Sequence, residues 1–151
     1  NDHTVKIWDA DAKQEVCSME KYPDFSGCFA CSPDGRHIAL DFRGNNVKVW
    51  DTETKQEVCS RKLCTTHVMC VAYSPDGKYI ATCTADYCGS IDVSDAVTME
   101  VAWSIRAEQR GGHCDMLRCV AWSLDSEFIA SSDNNKTVCV WSKSGELKAT
   151  L

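Results

Sequence analysis

The sequence lacks both a long hydrophobic run and a cluster of basic residues, and each absence excludes a class of protein. No stretch approaches the roughly 20 consecutive apolar residues that a membrane-spanning helix needs. Lys and Arg number 16 against 22 Asp and Glu, giving a formal net charge of −6, and no segment offers the clustered cations that bind a nucleic-acid backbone. We therefore predict neither a membrane nor a nucleic-acid partner.

The N-terminal segment also lacks the pattern of a secretory signal. Residues 1–4 are polar, with no basic region followed by an apolar one. Cysteine, by contrast, is plentiful, with 11 in 151 residues, and an odd number cannot all pair in disulfides within one chain. The expectation is a protein of a reducing compartment, cytoplasmic or nuclear and not secreted, whose thiols pack as small apolar groups.

An internal repeat of 42 residues organises the chain. The tetrapeptide Ser-Pro-Asp-Gly of residues 32–35 returns at residues 74–77, and a weaker form, Ser-Leu-Asp-Ser, stands at residues 123–126. The dipeptide Trp8-Asp9 returns as Trp50-Asp51, and the hexapeptide of residues 13–18 returns unchanged at residues 55–60. The sequence is therefore a tandem array.

Each unit has the pattern of short strands. Apolar residues alternate with polar ones with period 2, as at Val47 and Val49 around Lys48, and apolar runs end at turn residues. The Ser-Pro-Asp-Gly segment predicts a tight turn between the first and second strands of a unit. There, proline presets φ, aspartate bonds back to the backbone and glycine accepts a positive φ. We predict about four strands in each unit.

A four-stranded unit of about 42 residues that ends in Trp-Asp resembles the WD40 repeat of β-propellers. The dipeptide stands at Trp8-Asp9 and Trp50-Asp51, the last unit ends in Trp141-Ser142, and the Gly-His of the family is found at residues 112–113. In the third unit, we place Ser94 in the tryptophan position and Asp95 in the aspartate position. Most of that unit's extra residues fall within residues 104–112, where we expect an enlarged loop.

The resemblance implies an all-β propeller fold in which residues 1–20 form a half blade. Three full four-stranded blades follow at residues 25–60, 67–104 and 116–151. Closed propellers typically have four to eight blades. We therefore expect part of a larger propeller that requires its remaining blades, from the same parent chain or from a complementing one.

The resemblance also implies structural roles for particular residues. A histidine, a strand Ser or Thr, a tight-turn aspartate and the tryptophan form a hydrogen-bonded set in this family. Here the set draws on His113, Ser131 or Ser132, and Trp141, with Asn135 standing where aspartate is usual. The residues assigned structural roles in this way are Trp8, Asp9, Trp50, Asp51, Asp86, His113, Asn135 and Trp141.

Metal and catalytic alternatives rest on neighbouring Cys and His residues. Cys28-x-x-Cys31, Cys64-x-x-His67 and His113 beside Cys114 have the spacing of zinc-site fragments, or of a nucleophile with its base. The repeat favours packing, however, because Cys28, Cys70 and Cys119 each stand four residues before the turn serine. We predict no metal, no cofactor and no enzyme, with a cysteine-dependent enzyme as the alternative of another class.

Partner binding is the remaining function, and the resemblance indicates where it occurs. Partners of this family usually contact the loops that enter the first strand of each blade and those before the tight turn. Carried over by register, the entry residues are Phe25, His67 and Met116, and the pre-turn residues are Asn1, Arg43, Ala85 and Asn134. Arg106 and Arg110 of the enlarged loop are assigned to the same binding face. The further cations expected to border this face are Lys21, Arg61 and Lys62.

The function expected from the sequence is a non-catalytic scaffold that binds a protein or peptide through this loop face. The basic loop residues favour an acidic or phosphorylated peptide. One alternative is the regulatory propeller of a larger protein, such as an apoptosome-like sensor. Another is a ubiquitin-ligase substrate receptor, although Trp8 and Trp50 are not followed by the Arg of the Trp-Asp-x-Arg motif associated with that role.

Overall fold

The computed structural model describes residues 4–19, 25–42, 45–63, 67–85, 89–106, 112–113 and 115–151. These residues form β-strands joined by turns, and none of them belongs to a helix long and apolar enough to cross a membrane. The strands are β1 (Val5–Asp9), β2 (Gln14–Met19), β3 (Phe25–Cys31), β4 (His37–Phe42), β5 (Asn46–Asp51), β6 (Glu57–Lys62), β7 (Val68–Tyr73), β8 (Tyr79–Thr84), β9 (Ser90–Asp95), β10 (Val101–Arg106), β11 (Leu117–Trp122), β12 (Phe128–Asp133), β13 (Val138–Ser142) and β14 (Leu147–Thr150).

The strands form one two-stranded sheet and three four-stranded antiparallel sheets. Strands β1 and β2 make the half blade, β3–β6 the second blade, β7–β10 the third and β11–β14 the fourth, and within each sheet the order in space follows the chain. This confirms the predicted fold of three full blades and a half blade. In each full blade the first strand, β3, β7 or β11, is the innermost.

The turn between the first and second strands is built in the same way in all three full blades. In the second blade, the Ser32 hydroxyl donates to Asp34 Oδ1 at 2.5 Å and accepts from the backbone N–H of His37 at 2.9 Å. The third and fourth blades repeat both bonds. Gly35 and Gly77 have a φ of 72°, and Ser126 adopts 60° at the equivalent position, so the Ser-Leu-Asp-Ser variant keeps the turn.

The aspartate of the Trp-Asp dipeptide closes the turn between the third and fourth strands. Asp51 Oδ1 accepts the backbone N–H groups of Glu53 and Thr54 at 3.0 and 2.6 Å. Asp9 and Asp95 accept the same pair of bonds from the backbone N–H groups of the second and third residues that follow each of them. Backbone bonding at an exposed turn therefore accounts for this aspartate, including the one in the divergent third unit.

Strand register confirms that Ser94 stands in the place of tryptophan. Trp50 and Trp141 each lie opposite an isoleucine of the preceding strand. Ser94 lies opposite the equivalent Ile80 in the third blade. The enlarged loop begins later than expected, because β10 continues to Arg106 and residues 104–106 are therefore strand; residues 107–111 lie outside the described part.

The core lies between the faces of neighbouring blades. Val5 of the half blade packs with Ile38 and Leu40 of the second blade. Further clusters join the second blade to the third and the third to the fourth, the last one around the fully buried Trp141. Burial of these faces is the dominant favourable contribution to folding, at roughly 25 cal/mol per Å² of apolar surface.

Candidate functional site

The innermost strands of the three full blades lie side by side, and this brings the residues that begin these strands to one edge of the blades. Cys28 Sγ of β3 donates to the backbone oxygen of Met69 on β7 at 2.9 Å. Cys70 Sγ of β7 lies 3.8 Å from Cys119 Sγ of β11. The strands therefore enter from a common edge, which we call the loop face.

Each predicted entry residue lies at the start of an innermost strand. Phe25 is the first residue of β3, although its side chain lies outside the described part. His67 directly precedes β7 and is exposed, while Met116 directly precedes β11 and is half-buried. The loop face is thus marked by one such residue for each full blade.

Backbone bonds hold the pre-turn positions against the entry residues. The N–H of Ala85 donates to the oxygen of His67 at 2.9 Å, and the N–H of Asn134 donates to the oxygen of Met116 at 3.2 Å. The same bond in two blades fixes each pair as neighbours. Both positions therefore belong to one rigid framework rather than to separate loops.

Arg118 is a residue of this face that the sequence reasoning missed. It lies exposed on β11, and its Nε donates to Asn134 Oδ1 at 2.6 Å. Its place directly before Cys119, the repeated innermost-strand cysteine, was the available signal. Exposed Arg106 ends β10, whereas Arg43, Arg110 and Asp86 lie outside the described residues.

Arg61 does not border the loop face as expected. Its Nη1 donates to Ser94 Oγ of the third blade at 2.6 Å, and its Nη2 lies 3.6 Å from Asp92 Oδ2. Only 17% of the Arg61 side chain and 8% of the Asp92 side chain are exposed. Because serine leaves the tryptophan position small, the arginine of the preceding blade reaches into the space and pairs with a buried acid.

The fourth blade holds a fully buried hydrogen-bonded network. His113 Nε2 lies 2.7 Å from Ser131 Oγ, which accepts the indole N–H of Trp141 at 2.8 Å. His113 Nδ1 lies 3.0 Å from Asp133 Oδ2, with neither side chain exposed. The acid of this set is therefore Asp133, and the placement of Asn135 there was wrong, because the acid comes from the end of β12 and Asn135 is exposed in the following turn.

The surroundings of Asp133 favour its ionised form. Burial raises the pKa of the carboxyl, but the backbone N–H of Thr137, donating to Oδ1 at 2.9 Å, and the neighbouring His113 outweigh that effect. The pKa of Asp133 consequently lies below its ordinary value. A charged carboxylate thus completes the network.

Ser131, His113 and Asp133 have the connectivity of a serine–histidine–aspartate triad, yet their environment suits packing. A nucleophilic serine must meet its substrate, and the Ser131 hydroxyl is covered and already accepts the N–H of Trp141. His113 and Trp141 are buried as well. This arrangement can fix β12 and β13 against the preceding loop, and it offers no reacting atom to solvent.

Five cysteines lie in surroundings that disfavour a thiolate, namely Cys28, Cys31, Cys59, Cys83 and Cys119. Burial, followed by the nearby Asp41, raises the pKa of Cys28 to about 11. Burial likewise raises the pKa of Cys83, which is fully enclosed, and the pKa of Cys31. Reactive thiols need the opposite shift. Within the described ranges, no three His, Cys, Asp or Glu side chains are grouped to hold a metal ion.

The remaining residues assigned structural roles sit at blade surfaces and turns. Trp8 in the half blade is 57% exposed, whereas Trp50 packs against the cluster between the half blade and the second blade. Asp9 and Asp51 occupy the turns described above. The two tryptophans therefore differ in burial although they occupy equivalent positions.

Antiparallel four-stranded sheets with buried facing surfaces and a repeated turn are the features of β-propeller blades, and the fourth blade adds a buried Trp–Ser–His–Asp network. The family description that matches the sequence is "WD domain, G-beta repeat", over residues 57–91 and 106–142. A search of curated proteins gave no match. The chain thus carries WD40 repeats at these residues, and proteins with such repeats are generally scaffolds for protein interaction and typically non-enzymatic.

Proposed function

We propose that the chain is a non-catalytic scaffold that binds a protein or peptide through its loop face. The observation that carries this proposal is the rigid pairing of entry and pre-turn positions, with His67, Asn134 and Arg118 exposed upon it. A preformed surface loses little conformational entropy when it binds. The network of the fourth blade is enclosed, so its polar groups cannot reach a substrate. The accessible groups are those of the loop face, and they suit surface recognition rather than catalysis.

Charge favours an acidic peptide as the partner. Arg106 ends β10 and is exposed, Arg118 lies beside Asn134, and the sequence places Arg43 and Arg110 in the adjoining loops. Guanidinium groups form strong bidentate bonds to carboxylates and phosphates. The protein as a whole carries −6, so a basic loop face would also orient an approaching acidic partner.

The test compares two charge-reversal variants of equal charge in a pull-down with immobilised acidic and phosphorylated peptides. The loop-face variant changes Arg43, Arg106 and Arg110 to Glu, and the control changes the exposed Lys13, Arg36 and Lys55, on turns elsewhere, to Glu. We expect the first variant to lose capture and the second to retain it. Equal capture by both variants would refute the loop face as the binding surface.

A further inference from the structure

A cavity of about 350 Å³ lies between the second and third blades, at the opposite end of the strands from the loop face. Its apolar wall includes Val49, Val58 and Val97, and its polar wall includes Asp34 and Asp76 of the two Ser-Pro-Asp-Gly turns. Cavities of this size, mostly apolar with a few placed polar groups, are typical of ligand sites. The neighbouring blade interface shows why this cavity exists.

The repeat provides an internal comparison, because the third and fourth blades meet in the same way. The backbone N–H of Ala96 donates to the backbone oxygen of Lys78 at 2.9 Å, and the backbone N–H of Lys143 donates to the backbone oxygen of Glu127 at 2.8 Å. Ala96 and Lys143 are therefore equivalent positions. Turn register makes Gly77 equivalent to Ser126. The hydroxyl of Ser126 accepts the N–H of Asp76 at 3.1 Å, a bond across the blades that glycine cannot form.

Aromatic packing closes the gap between the third and fourth blades. Trp122 stacks on Tyr79, with ring centroids 6.2 Å apart and 21° between the planes, and its indole N–H donates to Ala72 O at 3.3 Å. By register, Tyr73 and His37 take these places between the second and third blades. Smaller rings and the glycine leave the cavity open, and the buried Tyr73 hydroxyl has no hydrogen-bond partner among the described residues.

The two interfaces also differ in the positive charges that lie beside their turn aspartates. Burial raises the pKa of Asp76, but bonds from Ser74 and Lys78, and then the positive charges of Lys78 and Lys143, bring it below its ordinary value. The Ser32 hydroxyl lowers the pKa of Asp34 first, followed by the N–H of Arg36. Both carboxylates are therefore ionised at neutral pH. Beside Asp34, however, the residue equivalent to Lys143 is Ala96.

We propose that the cavity between the second and third blades is a second binding site, which takes a lysine side chain from a partner peptide. The methylene stem packs against Val49, Val58 and Val97, and the ammonium reaches Asp34, beside which Ala96 stands in place of the lysine, with Asp76 on the same wall of the cavity. Arg36 and Lys78 are exposed and do not line the cavity, and the Lys78 ammonium lies 4.0 Å from Asp76 Oδ2, so Asp34 is the carboxylate that the incoming lysine pairs with. The site lies apart from the loop face and does not depend on it.

The direct test titrates the full chain with N-acetyl-lysine-N-methylamide and follows backbone amide signals by NMR. We expect saturable shifts at Gly77, Ala96 and Val97, and none with the norleucine analogue, which has the apolar stem without the charge. Butylammonium has the amine and the stem without the peptide groups, so it distinguishes a free amine from a peptide lysine as the ligand. We expect it to bind at the same residues but more weakly than the lysine derivative. Absence of saturation, or equal shifts with norleucine, would overturn the proposal.

Two variants test the geometry. Ala96→Lys installs the lysine of the fourth blade, and we expect it to weaken lysine binding at least tenfold by occupying the site. Its matched control, Lys143→Ala, should create no second site because Trp122 and Tyr79 fill that gap.

Asp34→Asn keeps the shape of the side chain and removes one charge. We therefore expect at least a fivefold loss of affinity for the lysine derivative, and this test holds even if Ala96→Lys folds poorly. Unchanged affinity in Asp34→Asn would contradict the site, whereas the loop-face variant should bind lysine normally.

Discussion

At the scale of single residues, the structure shows how a repeat compensates for a lost side chain. Serine at position 94 removes the indole that fills the equivalent space in the fourth blade, and Arg61 enters from the preceding blade. Asp92 then pairs with this guanidinium and also accepts the hydroxyl of Ser104. The exchange joins two blades through charge instead of aromatic packing.

We predict that Arg61→Met lowers the free energy of unfolding by roughly 2–4 kcal/mol, because Asp92 is left buried beside an apolar group. Urea denaturation at pH 7 measures the change. The matched control is Lys48→Met, which breaks a 2.6 Å pair with Glu57 whose side chains are about a third exposed. Such a surface pair contributes about 0–1 kcal/mol. Equal losses in the two variants would show that Arg61 is not structurally important.

Asp133 shows what residue-level sequence reasoning cannot resolve. The spacing of the family places the acid at Asn135, but the end of β12 brings Asp133 to His113 instead. A difference of two residues within a tight turn depends on backbone conformation, which the pattern of residue types does not determine. The sequence prediction put Arg61 at the loop face for a related reason, since its partner Ser94 is 33 residues away in another blade.

Replacement of Asp133 should change how stability depends on pH. A carboxyl whose folded pKa is lowered stabilises the fold above its ordinary pKa of about 3.9, and this stabilisation is lost as pH falls through the folded value. We predict that Asp133→Asn costs about 1–3 kcal/mol at pH 7, and that the gap to the unmodified chain narrows below about pH 4. Denaturation curves at pH 7, 5 and 3 test this, and a gap independent of pH would contradict it.

At the scale of elements, the sequence predicted most of what the structure contains. Alternation and the tetrapeptide turn led to the four-stranded blades, and the match of residues 91–95 to residues 47–51 placed Asp95 in its turn. These features are local, since a turn carries its own hydrogen bonds. The cavity and the Arg61 contact, by contrast, arise where two blades meet. They depend on which side chains face each other across the interface, and the pattern within one repeat does not show this.

The first-to-second-strand turn carries a prediction at this scale. Gly35 has a φ of 72°, and a Cβ added there would meet nothing within 4 Å, so a side chain would affect only the backbone. We predict that Gly35→Ala lowers stability by about 1 kcal/mol. Thermal denaturation measures it, with Ser144→Ala in an exposed turn as control. A loss well above this value would indicate an unrecognised contact at the turn.

At the scale of the whole molecule, the three interfaces differ in how they cover the innermost strands. Register makes Phe29, Val71 and Val120 equivalent, since each lies opposite the same position of the second strand. Val71 and Val120 are 5% and 2% exposed because the preceding blade covers them, whereas Phe29 is 54% exposed. The half blade places β1 and β2 on this side, and the inner part of the face stays open among the described residues.

We predict that the 151-residue chain in isolation associates with itself through this apolar face, and that association increases with concentration. Sedimentation velocity measures it, and Phe29→Thr should shift the distribution toward monomer. Leu124→Ser is the control, because Leu124 is 94% exposed in a turn and its removal leaves the blade face intact. A monomeric chain with a cooperative melt would refute this prediction, since it would show that the open face is stable in water without further blades.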